Sequence, residues 1–248
     1  MSDTPKSGGP VSADLIADLA AASRILAAQG VVDGFGHVSR RHPDAPDRYF
    51  LSRSMAPALV TPDDIIEYDL DSTACEADAP NGFSERFIHG QIYRARSEVM
   101  SVVHTHSPSV IPFGLVGAQM LAMFHNAAFL AAGVPVFDIS EKFGDTDMMV
   151  TDNAKGVALA ECLADKHVGL MRGHGVVTCA ESLEVAVFRA FYTEVSARIQ
   201  HWTQALAGDA PIAALTEAEG LLADVPNKSS SMRAWHLWRA PVREQLGW

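Results

Sequence analysis

Two histidines two residues apart end an apolar stretch near the middle of the chain, in the sequence Val102-Val103-His104-Thr105-His106. Residues i and i+2 of a β-strand point to the same face of a sheet, so a strand here would project both imidazoles side by side. Two neutral imidazoles in that arrangement are suitable ligands for a divalent metal ion. A single histidine at a strand end is more often a structural residue bonded to the backbone, so the pair alone does not establish a site.

Two further residues strengthen the prediction of a metal site. Glu85 lies upstream, at the start of a predicted helix, and His174 lies between two glycines at the end of another apolar stretch. Three histidine ligands would leave open positions on the metal, where a substrate oxygen can bind and be polarised. The set of four therefore favours a metal centre with His104, His106 and His174 as ligands.

Three other polar residues lie in or near these segments. His125 interrupts an apolar stretch and needs a hydrogen-bond partner or a function there, so we interpret it as a catalytic or substrate-binding residue. His89 follows Glu85 by four residues on the predicted helix and shares its face, which suits either the site or a structural hydrogen bond. Arg172, beside His174, is interpreted as a member of a structural ion pair.

These motifs resemble the signatures of the class II aldolase/adducin family over about residues 13–208. The resemblance is carried by Glu85, His104-Thr105-His106, Arg172-Gly173-His174-Gly175, Gly36-His37-Val38-Ser39 and Thr61-Pro62-Asp63-Asp64. The combination of a His-x-His pair with a distant His-Gly is specific, whereas each short motif alone is weak. The resemblance implies that Glu85 is an acidic residue beside the metal that transfers protons, and leaves open whether it also ligates the metal.

The sequence departs from the family pattern where the sugar-phosphate aldolases cradle phosphate. Their Gly-Asn pair, Thr/Ser-Gly turn and Ser-Ser pair correspond here to Gly36-His37, Ser52-Arg53 and Phe83-Ser84. Bulky side chains obstruct the close approach of backbone amides to a phosphate. We therefore predict that His37, Ser52, Arg53 and Ser84 bind substrate, with His37 and Arg53 gripping a carboxylate. Phe83 and Phe124 could flank an aromatic ring, although ordinary core packing also accounts for Phe83.

These changes resemble the branch of the family that contains decarboxylases of hydroxylated aromatic or pyridine dicarboxylates. The predicted activity is that of a metal-dependent carbon–carbon lyase that decarboxylates a hydroxylated aromatic or heteroaromatic carboxylate, with Glu85 and His125 as catalytic residues. Three alternatives are an aldolase acting on a hydroxy-keto acid or sugar derivative, a non-haem iron oxygenase, and an inactive adducin-like binding module. Retention of the complete set of metal-site residues argues against the last. Zn²⁺ is the expected metal, with Mn²⁺ and Fe²⁺ as alternatives.

The bulk properties limit the class of protein and its partners. The chain has 248 residues, 48% of them hydrophobic, and no obvious linker, so we predict a disordered leader over residues 1–11 and a single domain over 12–248 that ends in a helical tail. A net charge of −11 disfavours nucleic acid and acidic membranes as partners, but not a small anionic substrate bound at a metal. Three unpaired cysteines, no apolar leader and no long apolar span predict a cytoplasmic protein.

Hydrophobic periodicity and capping residues predict the elements that position these side chains. Helices are expected over 12–30, 84–96, 108–116, 153–164 and 182–206, and from a capping box at Thr216; strands over 36–40, 49–52, 65–70, 100–105, 134–139, 168–171 and 176–179. The mixed order predicts an α/β fold, three-layer α/β/α with a central, largely antiparallel sheet. The family resemblance implies the same fold and a homotetramer with shared sites, and Trp235 and Trp238 are expected to anchor the tail, against a neighbouring subunit or their own.

Overall fold

The computed structural model describes residues 4–247, in which seven strands form one sheet. The sheet order is β3-β2-β1-β4-β7-β6-β5, and every neighbouring pair is antiparallel except β5–β6, which is parallel. This confirms the predicted largely antiparallel sheet. The strands are β1 (His37–Arg41), β2 (Arg48–Ser52), β3 (Ile65–Asp69), β4 (Ser101–Thr105), β5 (Val136–Phe137), β6 (Val168–Met171) and β7 (Gly175–Ala180).

Helices cover both faces of this sheet. Within residues 4–247 they are α1 (Ala13–Ala28), α2 (Phe87–Ala95), α3 (Ile139–Phe143), α4 (Asn153–Leu163), α5 (Leu183–Ala207) and α6 (Glu217–Leu246), with short 3-10 segments at Pro57–Leu59, Pro62–Asp64, Ile111–Gly114 and His125–Ala132. Neighbouring residues of a strand point to opposite faces. Val103 therefore packs with α1, α5 and α6, whereas Val102 packs with α2 and α4. The result is the predicted three-layer α/β/α arrangement.

Side chains cap several helices at the predicted positions. The hydroxyl groups of Ser12, Ser182 and Thr216 accept hydrogen bonds from backbone N–H groups in the first turns of α1, α5 and α6. The helix predicted from Ser84 begins later, at Phe87, and residues 84–86 form a turn before it. Gly82 pairs with Arg53 in an isolated β-bridge, so the chain is still extended just before that turn.

The strand predicted over 134–139 is reduced to two residues. Pro135, which has no N–H group to donate to the sheet, precedes it. Asp138 ends it by accepting a hydrogen bond from the backbone N–H of Ser140 and capping α3.

The first and last segments of the described residues 4–247 contact the rest of the domain. Residues 1–3 of the predicted disordered leader lie outside the described residues, and residues 4–11 form no helix or strand. The N–H of Gly8 donates to Glu67 at 2.7 Å, and Arg48 donates to the carbonyl of Lys6 at 2.6 Å. Trp235 and Trp238 of α6 are buried against α1 and α5 of their own chain, which accounts for these aromatic residues without a neighbouring subunit.

No helix in the described part of the chain is both long enough and apolar enough to span a lipid bilayer.

Candidate metal centre and active site

The three histidines predicted as metal ligands meet in the middle of the sheet, where β4 ends and β7 begins. His104 lies in β4, His106 follows the end of that strand, and His174 lies in the turn between β6 and β7. Strands β4 and β7 are antiparallel, with Thr105 opposite Val176, so the end of β4 lies beside the start of β7. This register brings together side chains about 70 residues apart in the sequence.

The ring nitrogens of these histidines converge. The Nε2 atom of His106 lies 3.1 Å from the Nε2 atoms of both His104 and His174. Ligand atoms of the three histidines and Glu85 all lie within 4.8 Å of one another. Two nitrogens bound tetrahedrally to zinc at about 2.0–2.1 Å are about 3.3–3.4 Å apart, so the observed spacing is close to that of a metal site.

The outer ring nitrogens fix the protonation of two of these ligands. Nδ1 of His104 lies 3.2 Å from the carbonyl oxygen of Val176, and Nδ1 of His174 lies 2.9 Å from that of Met148. A carbonyl can only accept, so each Nδ1 carries a proton and each Nε2 presents a lone pair when its ring is neutral. Burial would lower the pKa of His174, but the hydrogen bond that its protonated Nε2 donates to Glu85 outweighs burial and raises that pKa, so this proton must leave before the ring binds a metal. Burial lowers the pKa of His104 to about 3 and also lowers that of His106. Neutral imidazoles with converging lone pairs fit a divalent cation.

Glu85 is buried beside the histidines. Its Oε2 atom lies 3.3 Å from Nε2 of His174 and 3.7 Å from Nε2 of His104, and its Oε1 accepts a hydrogen bond from the N–H of Val150 at 3.0 Å. Burial alone would raise the pKa of Glu85, but the hydrogen bond with His174 and the charges of His104 and His174 outweigh it and lower that pKa to about 2. The carboxylate is therefore ionised at neutral pH.

The loop between α3 and α4 holds both the acid and the third histidine. The carbonyl oxygen of Met148 accepts from His174, and two residues later the N–H of Val150 donates to Glu85. Met148 has a φ of 68°, which is uncommon outside glycine. The side chains of Thr146 and Asp147 accept hydrogen bonds from the N–H groups of residues 148 and 149 and support this conformation.

A cavity of about 310 Å³ opens next to the ligand set. Glu85, His104 and His106 line its floor together with two predicted substrate-binding residues, His37 and Ser84. The remaining wall comes from Gly34, Phe35, Gly36, Ser54, Met55, Ala56, Phe83 and Met149. Phe83 lies on the cavity, with its ring centroid 4.5 Å from that of His37. The volume is at the lower end of the range for small-molecule sites.

Three predicted site residues lie elsewhere. Ser52 shares its strand face with Phe50, which packs in the α1 layer, so it points away from the face that carries His37. Arg53 donates to the carboxylate of Asp64 at 2.6 Å instead of facing the cavity. His125 is exposed at the start of a 3-10 segment and does not line the cavity. Arg172, in contrast, forms the predicted structural ion pair, with Asp138.

Several cavity residues were missed by the sequence analysis. Phe35, Met55 and Met149 form apolar parts of the wall, and the backbone of residues 148 and 150 orients the polar groups. Gly36 is the one sequence signal for the backbone arrangement around the cavity. It has a φ of 95°, and a Cβ there would lie 2.6 Å from Val32 and 3.0 Å from the carbonyl oxygen of His104. Only glycine permits this close approach of the segment before β1 to β4.

A buried chain of hydrogen bonds runs from the cavity into the interior. His37 Nδ1 lies 2.6 Å from His89 Nε2, His89 Nδ1 lies 2.6 Å from the hydroxyl of Ser39, and that hydroxyl lies 2.7 Å from the hydroxyl of Tyr93. Burial, followed by the nearby histidines, lowers the pKa of His37 well below its usual value, and burial lowers that of His89 to about 3. His89 thus lies behind the cavity and supports a residue that lines it.

Comparison with known proteins identifies relatives of this chain. The family model "Class II Aldolase and Adducin N-terminal domain" matches residues 17–201. A protein of Talaromyces stipitatus named "Decarboxylase tropJ" is 36% identical over 241 residues, covering 89% of this chain and 90% of the relative. A "3,4-dihydroxyphthalate decarboxylase" of Arthrobacter keyseri is 27% identical over 236 residues, covering 89% and 90%.

The fold also has counterparts among solved structures. An aldolase II superfamily protein from Pseudomonas syringae superposes with a TM-score of 0.78 at 21% identity, covering 96% of this chain and 95% of the other. At that identity the likeness concerns the fold alone. It agrees with the three-layer arrangement derived above.

Proposed function

Because this chain belongs to the class II aldolase/adducin family, we propose that it is a metal-dependent carbon–carbon lyase that decarboxylates a hydroxylated aromatic or heteroaromatic carboxylate. The observation that carries the proposal is the convergence of His104, His106 and His174 with Glu85 beside a cavity that all of them but His174 line. Two decarboxylases among the relatives each cover about nine-tenths of the chain, which supports this reaction over the other chemistries of the family.

The three histidines would hold one divalent metal ion, with Zn²⁺ expected and Mn²⁺ or Fe²⁺ as alternatives. When bound, the metal polarises a substrate oxygen and stabilises the negative charge that develops as a carbon–carbon bond opens. Glu85 lies against the same ligand atoms, 3.3 Å and 3.7 Å from two of the ring nitrogens. The carboxylate thus sits where it can exchange a proton with a substrate group held at the metal.

We assign the binding of the substrate to the cavity wall. His37 and Ser84 supply polar contacts, while Phe83 and Met149 supply apolar surface for a ring. A hydroxyl ortho to the departing carboxylate would lie near the metal ligands, which brings the phenolic proton close to Glu85. Such a substrate uses both the polar floor and the apolar wall.

Glu85 is assigned the proton transfer. Its carboxylate is ionised in the resting protein, because its pKa is held near 2. A metal held by the three histidines would lower the pKa of the phenolic hydroxyl, which allows this weakly basic carboxylate to accept the phenolic proton at Oε2 as the substrate binds. It then returns that proton to the ring carbon, which forms a new carbon–hydrogen bond while its bond to the carboxylate breaks and carbon dioxide leaves. His125, whose exposed position excludes it from this cavity, could take part only in a site shared with another copy of the chain.

The experiment is a substrate comparison with metal-loaded enzyme. Incubation with 3,4-dihydroxyphthalate and related ortho-hydroxy aromatic acids should release carbon dioxide and the acid with one carboxylate fewer, without oxygen uptake. If these acids do not react while a hydroxy-keto acid or a sugar phosphate is cleaved to two carbon fragments, the protein is an aldolase. Oxygen consumption would identify an oxygenase, and no turnover of any of them would indicate a binding module.

We further propose that the protein is a homotetramer located in the cytoplasm. Large apolar side chains are exposed, with Phe35, Leu115 and Val116 each more than half exposed, which supports association with further copies. The three cysteines, Cys75, Cys162 and Cys179, are all free, which suits a reducing compartment.

A further inference from the structure

We infer that the hydrogen bonds of the buried chain Tyr93–Ser39–His89–His37 are all donated in one direction, from Tyr93 towards His37. This order makes His37 a hydrogen-bond donor to a carboxylate in the cavity. The inference rests on the proposed function for the identity of the ligand, but the direction of the chain follows from the hydrogen bonds alone. All four side chains are at most 5% exposed, so water does not replace a missing partner.

The inner end of the chain sets the direction. Within residues 4–247, the hydroxyl of Ser39 is the one side-chain partner of the Tyr93 hydroxyl, and the backbone N–H of Val102 beside it can only donate. If Ser39 donated to Tyr93, the buried Tyr93 proton would have no acceptor. Leaving a buried donor unpaired costs about 1–3 kcal/mol. Tyr93 therefore donates to Ser39.

The remaining links follow in order. Ser39 has a single proton, and the other partner of its hydroxyl in the described chain is Nδ1 of His89, so it donates there. His89 is then protonated at Nε2, which lies 2.6 Å from Nδ1 of His37 and donates to it. His37 must consequently carry its proton on Nε2. Any other arrangement leaves at least one buried donor without an acceptor.

This chain orients a proton and does not supply one. Tyr93 is 1% exposed and ends the chain in the interior, so no proton can enter from solvent at that end. Ser39 and His89 act as positioning residues, because they determine which nitrogen of His37 is protonated.

The direction of these hydrogen bonds determines which ligand groups His37 can bind. Its ring lines the cavity, with its centroid 5.1 Å from that of His104 and 4.5 Å from that of Phe83. A donor at this position binds an oxygen that accepts, next to the oxygen held at the metal ligands. In a hydroxyaryl carboxylate that acceptor is the carboxylate, and a hydrogen bond to a charged oxygen is stronger than one to a neutral oxygen.

The direct test is a neutron structure of the deuterated, zinc-loaded enzyme. Deuterium should appear on Nε2 of both His37 and His89, and the deuterium of Ser39 should point to His89. Deuterium on Nδ1 of His37 would overturn the inference. This result does not depend on turnover, so it separates the inference from the proposed activity.

The functional test uses calorimetry with 2-hydroxybenzoate as the probe. Ser39→Ala should weaken binding of the probe to the zinc-loaded protein by about tenfold or more, since His37 is no longer held as a donor. Ser39→Thr, which keeps the hydroxyl, should restore binding. Ser101→Ala is a matched control. Ser101 is equally buried on the neighbouring strand and donates to the backbone carbonyl of Ser39, outside the chain.

The outcomes are distinct. The control should bind the probe within a factor of about two of the wild type, and zinc content should be equal in all variants. Unchanged probe affinity in Ser39→Ala would contradict the inference, as would failure of the wild type to bind 2-hydroxybenzoate. If the probe and neutron results hold but no aromatic acid is decarboxylated, the inference stands and the proposed function fails.

Discussion

At the scale of single residues, substitution of the proposed ligand His106 has the clearest expected effect. Its Nε2 lies 3.1 Å from those of both other histidines. His106→Ala should abolish stoichiometric metal binding and activity while the fold survives. Metal analysis of protein purified without chelator measures the first effect, and circular dichroism the second. A variant that retains one metal per chain would refute the assignment.

Removing the metal gives a second measure of the same site. A ligand that binds only the folded state at 100 times its dissociation constant stabilises it by about 2.7 kcal/mol. A chelator should therefore lower the melting temperature of the wild type. The same chelator should leave His106→Ala unchanged, and an equal shift in both would indicate that the metal binds elsewhere.

Glu85 should separate binding from turnover. Glu85→Gln keeps the shape and the hydrogen bond from Val150 but removes the charge and the proton acceptor. A positioned acid or base contributes about 10²–10⁴-fold to a rate, so kcat should fall by that factor while the metal is retained. Undiminished turnover in this variant would exclude Glu85 as the proton carrier.

Arg53 lies away from the position that its motif predicts. It is paired with the carboxylate of Asp64 and lies off the cavity. Burial alone would raise the pKa of Asp64, but hydrogen bonds from Arg53 and Thr61 outweigh it and lower that pKa below 3.8. A depressed folded-state pKa gives stability that is present above about pH 4 and lost as the pH falls through the folded value.

Arg53→Ala should therefore act mainly on stability. We expect the free energy of unfolding at neutral pH to fall by about 1 kcal/mol or less, because the Arg53 side chain is 44% exposed and its ion pair is screened by solvent. The decline of this free energy with acid should begin at a higher pH, because the pKa of Asp64 rises. Denaturant unfolding between pH 3 and pH 7 measures both, with Arg48→Ala, whose partner Asp47 is exposed, as a control ion pair. A large rise in the KM of Arg53→Ala with unchanged stability would instead support a role for Arg53 in substrate binding.

The residue scale also shows where sequence reasoning succeeds. His104, His106, His174 and Glu85 converge as predicted, because their positions depend on local strand geometry and on one antiparallel pairing. The predicted place of Ser52 beside the substrate does not match the structure, and the reason is physical. Matching a motif does not determine which face of a strand a side chain occupies, and a shift of one residue changes that face.

At the scale of elements, the capping residues identified α1, α5 and α6, and apolar runs identified the strands. Element boundaries were less predictable where tertiary hydrogen bonds decide them. The turn before α2 is an example, since Glu85 within it is held by the N–H of Val150, far along the chain. His125 also belongs here, because its surroundings depend on an irregular segment that no periodicity describes.

Gly36 gives a test at this scale, because it joins β1 to the site. A methyl group there meets Val32 and the carbonyl oxygen of His104, and the positive φ adds strain. Gly36→Ala should cost about 2 kcal/mol or more of stability and displace His37. Gly34→Ala is the control, since nothing lies within 4 Å of its added Cβ and its φ is not positive. Equal unfolding free energies for the two variants would contradict this account.

At the scale of the whole molecule, the position of His125 can be reconciled with catalysis only across copies of the chain. If active sites are shared in a homotetramer, inactive His106→Ala and His125→Ala proteins should complement each other when refolded together. Random assembly of equal amounts would restore on the order of a quarter of the sites. No recovery, or full activity of His125→Ala alone, would leave His125 without a catalytic role.

The loop before α4 links the metal site to the proton-transfer residue. One short stretch of backbone holds His174, the proposed third metal ligand, through the carbonyl of Met148, and Glu85, the proposed proton carrier, through the N–H of Val150. A substitution that moves the backbone of residues 148–150 should therefore alter the metal ligand and the proton carrier together. Met55, which lines the cavity without contributing to either contact, is a position where the wall can change to suit another substrate.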